Sequence, residues 1–223
     1  MATTALTIVN NVLARLRESA VTSATFPTNV YAQLILRFVN EAKRECEDAW
    51  DWQALRQTLS FNTVASTSSY TLTGAGQRFR FYDKNSAMFN TTIKDILYPA
   101  QDAWMEQAIQ LYGTNAQFPN WYRIRGVDAN GDPNIDLYPT PLSVYTIKVP
   151  LVIPQAELSV FDDTFKLPSM MVELGAWAKS VSERGEDGGT STSDAFQAYK
   201  FALGDAISQD AGRVDMSEII WES

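Results

Sequence analysis

The sequence predicts an α+β protein: a helix pair at each end, packed together as a four-helix bundle, with an antiparallel β-rich region inserted between them. Three observations carry that prediction. Apolar residues recur at helical spacing over 1–56 and again over 164–212. Between them, over 57–163, the period loosens to an alternation rich in Thr, Val, Phe and Tyr, interrupted by one short helical pattern. Pro, Gly or Asn bound each strand-like run in that middle region. The remaining residues, 213–223, fit no periodic element and read as a C-terminal docking tail.

Each element has its own warrant. Leu6, Val9, Leu13 and Leu16 line one face of a first helix, with Thr3 or Thr4 placed to cap it. The stretch SAVTSATFPTN breaks the pattern with Pro27 and small polar residues. A second helix is expected over 28–51, with Leu34, Phe38, Ala42, Cys46 and Ala49 on one face, widened by Tyr31, Ile35 and Val39. A short linker favours antiparallel packing of the two. TLSFNTVASTSSYTLTG reads as a strand pair, and RFRFYD as a further strand with Phe79 and Phe81 on one side and Arg78 and Arg80 on the other. NTTIKDILYP adds a strand ending at Pro99. AQDAWMEQAIQLYG reads as the short helix, with Trp104, Ala108 and Leu111 on its inner side and Gly113 at its end. NWYRIRGV, NIDLYP and SVYTIKVPLV supply three more strands. The helical period returns at Leu167: Pro168 suits a first turn, Met171, Leu174, Trp177 (or Ala178) and Val181 form the buried stripe, and Gly185 stops it. Ser193 and Asp194 are placed to cap a last helix bearing Phe196, Tyr199, Leu203 and Ile207.

Composition bounds the function. With 223 residues, 45% of them hydrophobic, the chain can bury one large core or two small ones. The formal net charge of −8 disfavours sequence-independent DNA binding by the overall field. A single cysteine, Cys46, permits no intrachain disulfide, and its place on a helical apolar stripe reads as core. There is no histidine, which removes Ser-His-Asp and Cys-His catalysis and imidazole metal sites. No apolar run approaches the ~20 residues of a membrane span. The first residues lack a basic region ahead of an apolar stretch, so the protein is expected to be made in the cytoplasm without a signal peptide.

The candidate chemical motifs have structural readings. DANGDPNIDLYPTP, 128–141, places Asp128, Asn130, Asp132, Asn134 and Asp136 at alternate positions, as a calcium loop would. Counted from Asp128, however, the sixth position is Pro133 and the twelfth is Pro139, where an EF-hand needs Gly and Glu. Asn130-Gly131 between strand-like runs is instead a hairpin turn. The paired carboxylates Asp162 with Asp163, Glu186 with Asp187, and Glu45 with Glu47 or Asp48 fall in loops, caps or a helix face, and none demands a neutral acid in an apolar pocket. Gly74-Ala75-Gly76 is too short for a phosphate cradle. RFRFYDK mixes cations with aromatics, as single-strand nucleic-acid sites do, but an inward Phe face explains it equally well. Neither a catalytic residue, nor a cofactor, nor a metal is therefore expected. Two apolar motifs remain. Trp50 and Trp52, in AWDWQ, bracket an Asp where helix gives way to strand, and read as anchors at a subdomain junction. Ile219, Ile220 and Trp221 stand in the tail, and read as a partner-docking motif.

Taken in order, these motifs resemble the head-to-tail adaptor proteins of short-tailed phages, also called the tail tubular protein A family. The resemblance lies in VNNVLARLRES (9–19), AKRECEDAWDW (42–52), LYPTP (137–141), the Leu167-Pro168 helix start and ERG (183–185), and it is weakest in the middle β region and the tail. It implies a helical bundle with an inserted β domain and a dodecameric ring in the virion. Such a ring would lie between the portal protein and a tail nozzle or tail tubular protein B-like component, and double-stranded DNA would pass through its lumen. Two other functions are open to these residues. A carbohydrate-binding module would use exposed coplanar aromatics, with Trp121 and Tyr122 as candidates. A metal-assisted hydrolase would use Asp128, Asp132 and Asp136.

Overall fold

The computed structural model describes residues 3–81, 88–185 and 190–213. The elements in chain order are β1 (Thr3–Thr4), α1 (Ala5–Arg15), α2 (Val30–Ala49), a 3₁₀ turn at Gln53–Leu55, β2 (Arg56–Asn62), β3 (Ser69–Thr71), β4 (Arg80–Phe81), β5 (Met88–Asn90) and β6 (Asp95–Pro99). They continue with α3 (Asp102–Tyr112), β7 (Ala116–Gln117), β8 (Trp121–Val127), β9 (Pro133–Tyr138), β10 (Thr140–Pro141), β11 (Thr146–Val152), β12 (Thr164–Phe165), α4 (Ser169–Arg184) and α5 (Thr190–Ala211). The chain divides into two compact units, one of Met1–Leu55 with Gln155–Ser223, the other of Arg56–Pro154. The fold is a mixed α+β one, with five helices and a curled sheet.

In the helical unit Thr4 caps α1 by accepting from the Thr7 N–H, and Asn29 caps α2 by accepting from the Ala32 N–H. Of the stripe expected on α2, Ile35, Val39, Ala42 and Cys46 are buried, but the rest is not. On α2 the buried positions are Ala32, Ile35, Leu36, Val39, Ala42, Lys43, Cys46 and Glu47, while Leu34 and Phe38 are half-buried and Ala49 is exposed. Helix α4 is the hub: α1, α2 and α5 each pack on it. This hub stands in place of the four-helix bundle expected from two hairpins. Its cause is the smallness of α4 at Gly175, where an added Cβ would lie 2.9 Å from the Ala42 Cβ and 3.2 Å from Tyr199. Ser193 and Asp194, expected as caps, lie inside α5 instead. Gly185 ends α4 in the left-handed conformation, φ +63°, that glycine adopts without strain.

Polar side chains of α2 stitch the segment 155–158 to this unit. Asn40 donates to the Leu158 carbonyl and accepts from its N–H, both at 2.9 Å. Lys43 and Glu47, only 2% and 0% exposed, form an ion pair at 3.0 Å. Lys43 also donates to the Gln155 carbonyl at 2.6 Å, and Glu47 accepts from the Gln155 N–H at 3.0 Å.

The β unit is built on a sheet ordered β2-β11-β5-β6-β8-β9-β3, with β4 also pairing β11. The sheet curls, so that Phe61 and Tyr70, from the strands at its two ends, lie with ring centroids 5.2 Å apart. Two expectations are corrected here. The strand pair read at TLSFNTVASTSSYTLTG is two strands that do not pair with each other: β2 runs along β11 and β3 along β9. The sheet is not wholly antiparallel either, because β6 and β8 are parallel. A parallel pair needs a crossover, and α3 is that crossover. The core is Leu72, Met88, Leu97, Tyr122, Ile135, Leu137, Ile147, Val149 and Leu151, joined by Ala75, Tyr145 and Ile153. Along β9 burial alternates residue by residue, as one covered sheet face requires.

Candidate docking surfaces

The first candidate surface lies where α2 ends near the last turn of α5. Trp52 is buried, its indole N–H donating to the Cys46 carbonyl at 2.7 Å. Trp50 is partly exposed and donates to Asp210 at 3.2 Å. Asp210 also accepts from the Gln53 N–H at 3.1 Å, and the Gln53 side chain donates to the Asp210 carbonyl at 2.8 Å. The buried carboxylate thus organises the chain as it leaves α2. Both tryptophans, expected as junction anchors, are here engaged within the helical unit. Sequence reasoning missed Asp210, because a lone Asp near a helix end carries no signal of burial. Cys46 Sγ lies 3.7 Å from the Tyr199 hydroxyl, and burial pushes its thiol up to about 12. At neutral pH it is a packed thiol, since a nucleophile needs the thiolate.

The second surface is on the β unit. Tyr98, Trp104, Trp121 and Tyr138 form a chain of ring contacts, with Trp104 and Trp121 centroids 5.0 Å apart and Tyr98 and Trp121 centroids 5.8 Å apart. At the end of α3 Leu111 and Tyr112 are 74% and 68% exposed, and Phe118, in the segment before β8, is also exposed. Helix α3 buries Ala108, as expected, together with Met105, while Trp104 and Leu111, expected on the same inner face, are exposed. The outward turn of Trp104 and Leu111 creates this apolar patch.

The other sequence candidates are dispersed. Asp128 accepts from the N–H groups of Asn130 and Asp132 at 2.8 and 2.9 Å, closing the β8–β9 turn. Asp132 accepts from Gly74 and Gly76 N–H groups at 3.0 and 2.8 Å, which holds its carboxyl below the usual range. Asp136 pairs with Arg123 at 3.0 Å. The three carboxylates of the hydrolase reading are thus occupied separately, and among the described residues no cluster of His, Cys, Asp or Glu is arranged to hold a metal. The carbohydrate reading fails on Tyr122, which is 4% exposed, and on the 49–54° tilts between Trp121 and its ring neighbours. Phe79 and Phe81 pack edge to face, centroids 5.9 Å apart, against the core. They are not a stacking platform for bases. Asp163, expected near a helix cap, instead accepts from the Ser159 and Val160 N–H groups, at 2.5 and 2.8 Å, and so closes the turn ahead of β12. Ile219, Ile220 and Trp221, and the Glu186–Asp187 pair, lie outside the described residues.

A family model described as SU10 adaptor protein matches residues 3–219. The chain belongs to the SU10 adaptor protein family. No curated protein matches it. The match spans α1 to the segment beyond α5, so this family membership covers the helical and β units together. Among the described residues no helix is long and apolar enough to cross a membrane.

Proposed function

We propose that this SU10-family chain is a structural adaptor of a phage virion that works by shape and interface, without turnover. Copies of the chain join head to tail in a closed ring, in our reading a dodecamer. The ring connects the portal protein to the tail nozzle and lets double-stranded DNA pass through its lumen. The observation that carries this is the family match across residues 3–219. Three features support it. The patch of Trp104, Leu111, Tyr112 and Phe118 offers the aromatic contact that subunit interfaces favour. A ring needs heterologous contacts that close, in which this patch on one copy would meet a different surface of the next. A formal charge of −8 keeps a lumen from gripping phosphate. In this reading the helices gathered on α4 act as one bundle, Trp50 and Trp52 steady the departure towards the β unit, and Ile219–Trp221 dock on the portal.

The test is removal of 216–223. The shortened chain should remain folded and soluble but fail to join portal-containing particles, seen by electron microscopy of the protein mixed with portal rings. Normal incorporation of the shortened chain would remove the docking role of Ile219–Trp221. Failure of the full chain to bind portal rings at all would remove the adaptor reading.

A further inference from the structure

A cavity of about 620 Å³ opens in the helical unit beside the β1–β12 ribbon, the first turn of α4 and the last turn of α5. Such a volume lies within the ~300–1,000 Å³ typical of occupied ligand clefts. Trp52, Phe165, Leu167 and Ala206 give it apolar walls; Lys166 and Arg213 add two cations, and Asp210, 3.8 Å from Arg213, one carboxylate, so the lining is net positive. Two observations point to what fills it. Arg213, the last described residue, is itself a lining residue, so the chain enters 214–223 from a residue of the cleft wall. Ile219 follows six positions later, within a reach of about 20 Å at ~3.3–3.6 Å per residue. The segment, VDMSEIIWES, also complements the walls: Ile219, Ile220 and Trp221 are apolar, while Asp215, Glu218 and Glu222 are acidic.

We propose that this cleft receives Ile219–Trp221 of the same chain, with Glu218 and Glu222 turned towards Lys166 and Arg213. The apolar motif is then covered in the isolated protein, and a partner that binds it must first compete with the cleft. That competition lowers the apparent affinity by the fraction of chains in the uncovered state. The proposal concerns the isolated chain and does not depend on the portal reading.

Hydrogen–deuterium exchange tests it in three proteins: the full chain, a chain ending at Arg213, and the full-length Ile220→Asp/Trp221→Asp variant. Peptides over 164–169 and 206–213 should exchange at least several-fold more slowly in the full chain than in the other two. Equal exchange in all three overturns the proposal; should the truncated chain not fold, the double variant decides alone. A disulfide trap fixes which chain supplies the segment. With Ser169→Cys and Glu222→Cys, air oxidation at low protein concentration should give a bridge within one chain, running as a monomer on a non-reducing gel. Buried Cys46 stays out of this reaction. A bridge found only between two chains moves the occupant to a second copy and overturns the proposal.

Discussion

Replacing Glu47 by Ala should be among the most damaging single changes in the helical unit. Glu47 is 0% exposed and faces Lys43, 2% exposed, at 3.0 Å, while both also bind Gln155 main-chain atoms. An exposed i,i+4 pair on a helix contributes ~0.3–0.5 kcal/mol. Removing one partner of a buried pair costs about 3–5 kcal/mol, because the other charge stays desolvated. The Gln155 N–H loses an acceptor as well. An expected loss of about 4 kcal/mol, with a urea m-value of ~2 kcal/mol/M, lowers the midpoint by about 2 M. Lys43→Met with Glu47→Leu removes both charges together. Its cost should fall below the sum of the Lys43→Met and Glu47→Leu losses, because no buried charge is left unpaired and only the two Gln155 groups, ~1–3 kcal/mol each, lack partners. Far-UV circular dichroism of the wild type, Lys43→Met, Glu47→Leu and the double variant, the four corners of the cycle, measures the coupling. A loss under ~1 kcal/mol for Glu47→Ala, or strictly additive single effects, would show that water reaches the pair and that it does not fasten segment 155–158 to α2.

Two further outcomes follow from the packing and the turns. Gly175→Ala gains ~1 kcal/mol of helix propensity but forces a Cβ to 2.9 Å from Ala42, an overpacking that costs ~1–3 kcal/mol. The melting temperature should fall by about 2–4 °C in calorimetry, and a rise would mean that α2 and α5 yield freely around α4. Asp132→Asn should destabilise the β unit near neutral pH, since hydrogen bonds from the Gly74 and Gly76 N–H groups hold this carboxyl below its ordinary 3.8. A depressed folded-state value gives stability that is complete above the unfolded value and is lost as pH falls through the folded one. The gap between wild type and variant should therefore narrow below about pH 4. A gap independent of pH down to 3 would assign the effect to turn shape alone.

The alternation of helix, strand and helix was legible because period and turn chemistry report directly on local structure. Asn130-Gly131 announced the β8–β9 turn in the same way, and Gly113 and Gly185 the ends of α3 and α4. What escaped depends on partners distant in sequence. Lys43 and Glu47 look like a solvated i,i+4 pair until Gln155 arrives beside them. On α2, Ile35, Val39, Ala42 and Cys46 were legible as core, but Leu34 and Phe38 are apolar enough to pass as core although they are only half-buried. The pairing of β2 with β11 cannot be read from either strand, since hydrophobic alternation fixes a face and not a neighbour. The outward turn of Trp104 likewise follows from the β6–β8 crossover, which the helical pattern of α3 does not encode.

The side chains that looked most like chemistry share a different task. Asp128, Asp132, Asp163, Asp210 and Glu47 each accept from a main-chain N–H in a loop or a segment joining elements. Hydrogen bonds to a charged acceptor contribute ~1.5–3 kcal/mol, about twice a neutral one. Irregular backbone has no ladder to satisfy it, so a carboxylate is an efficient fastener there. On the proposed adaptor reading, this matters more than catalysis would. Loops that present a docking surface must hold one conformation before the partner arrives, or binding pays for ordering them. The acidity of this chain is thus spent first on fixing its own non-repetitive segments, and the apolar patch on the β unit is displayed by a scaffold already made rigid.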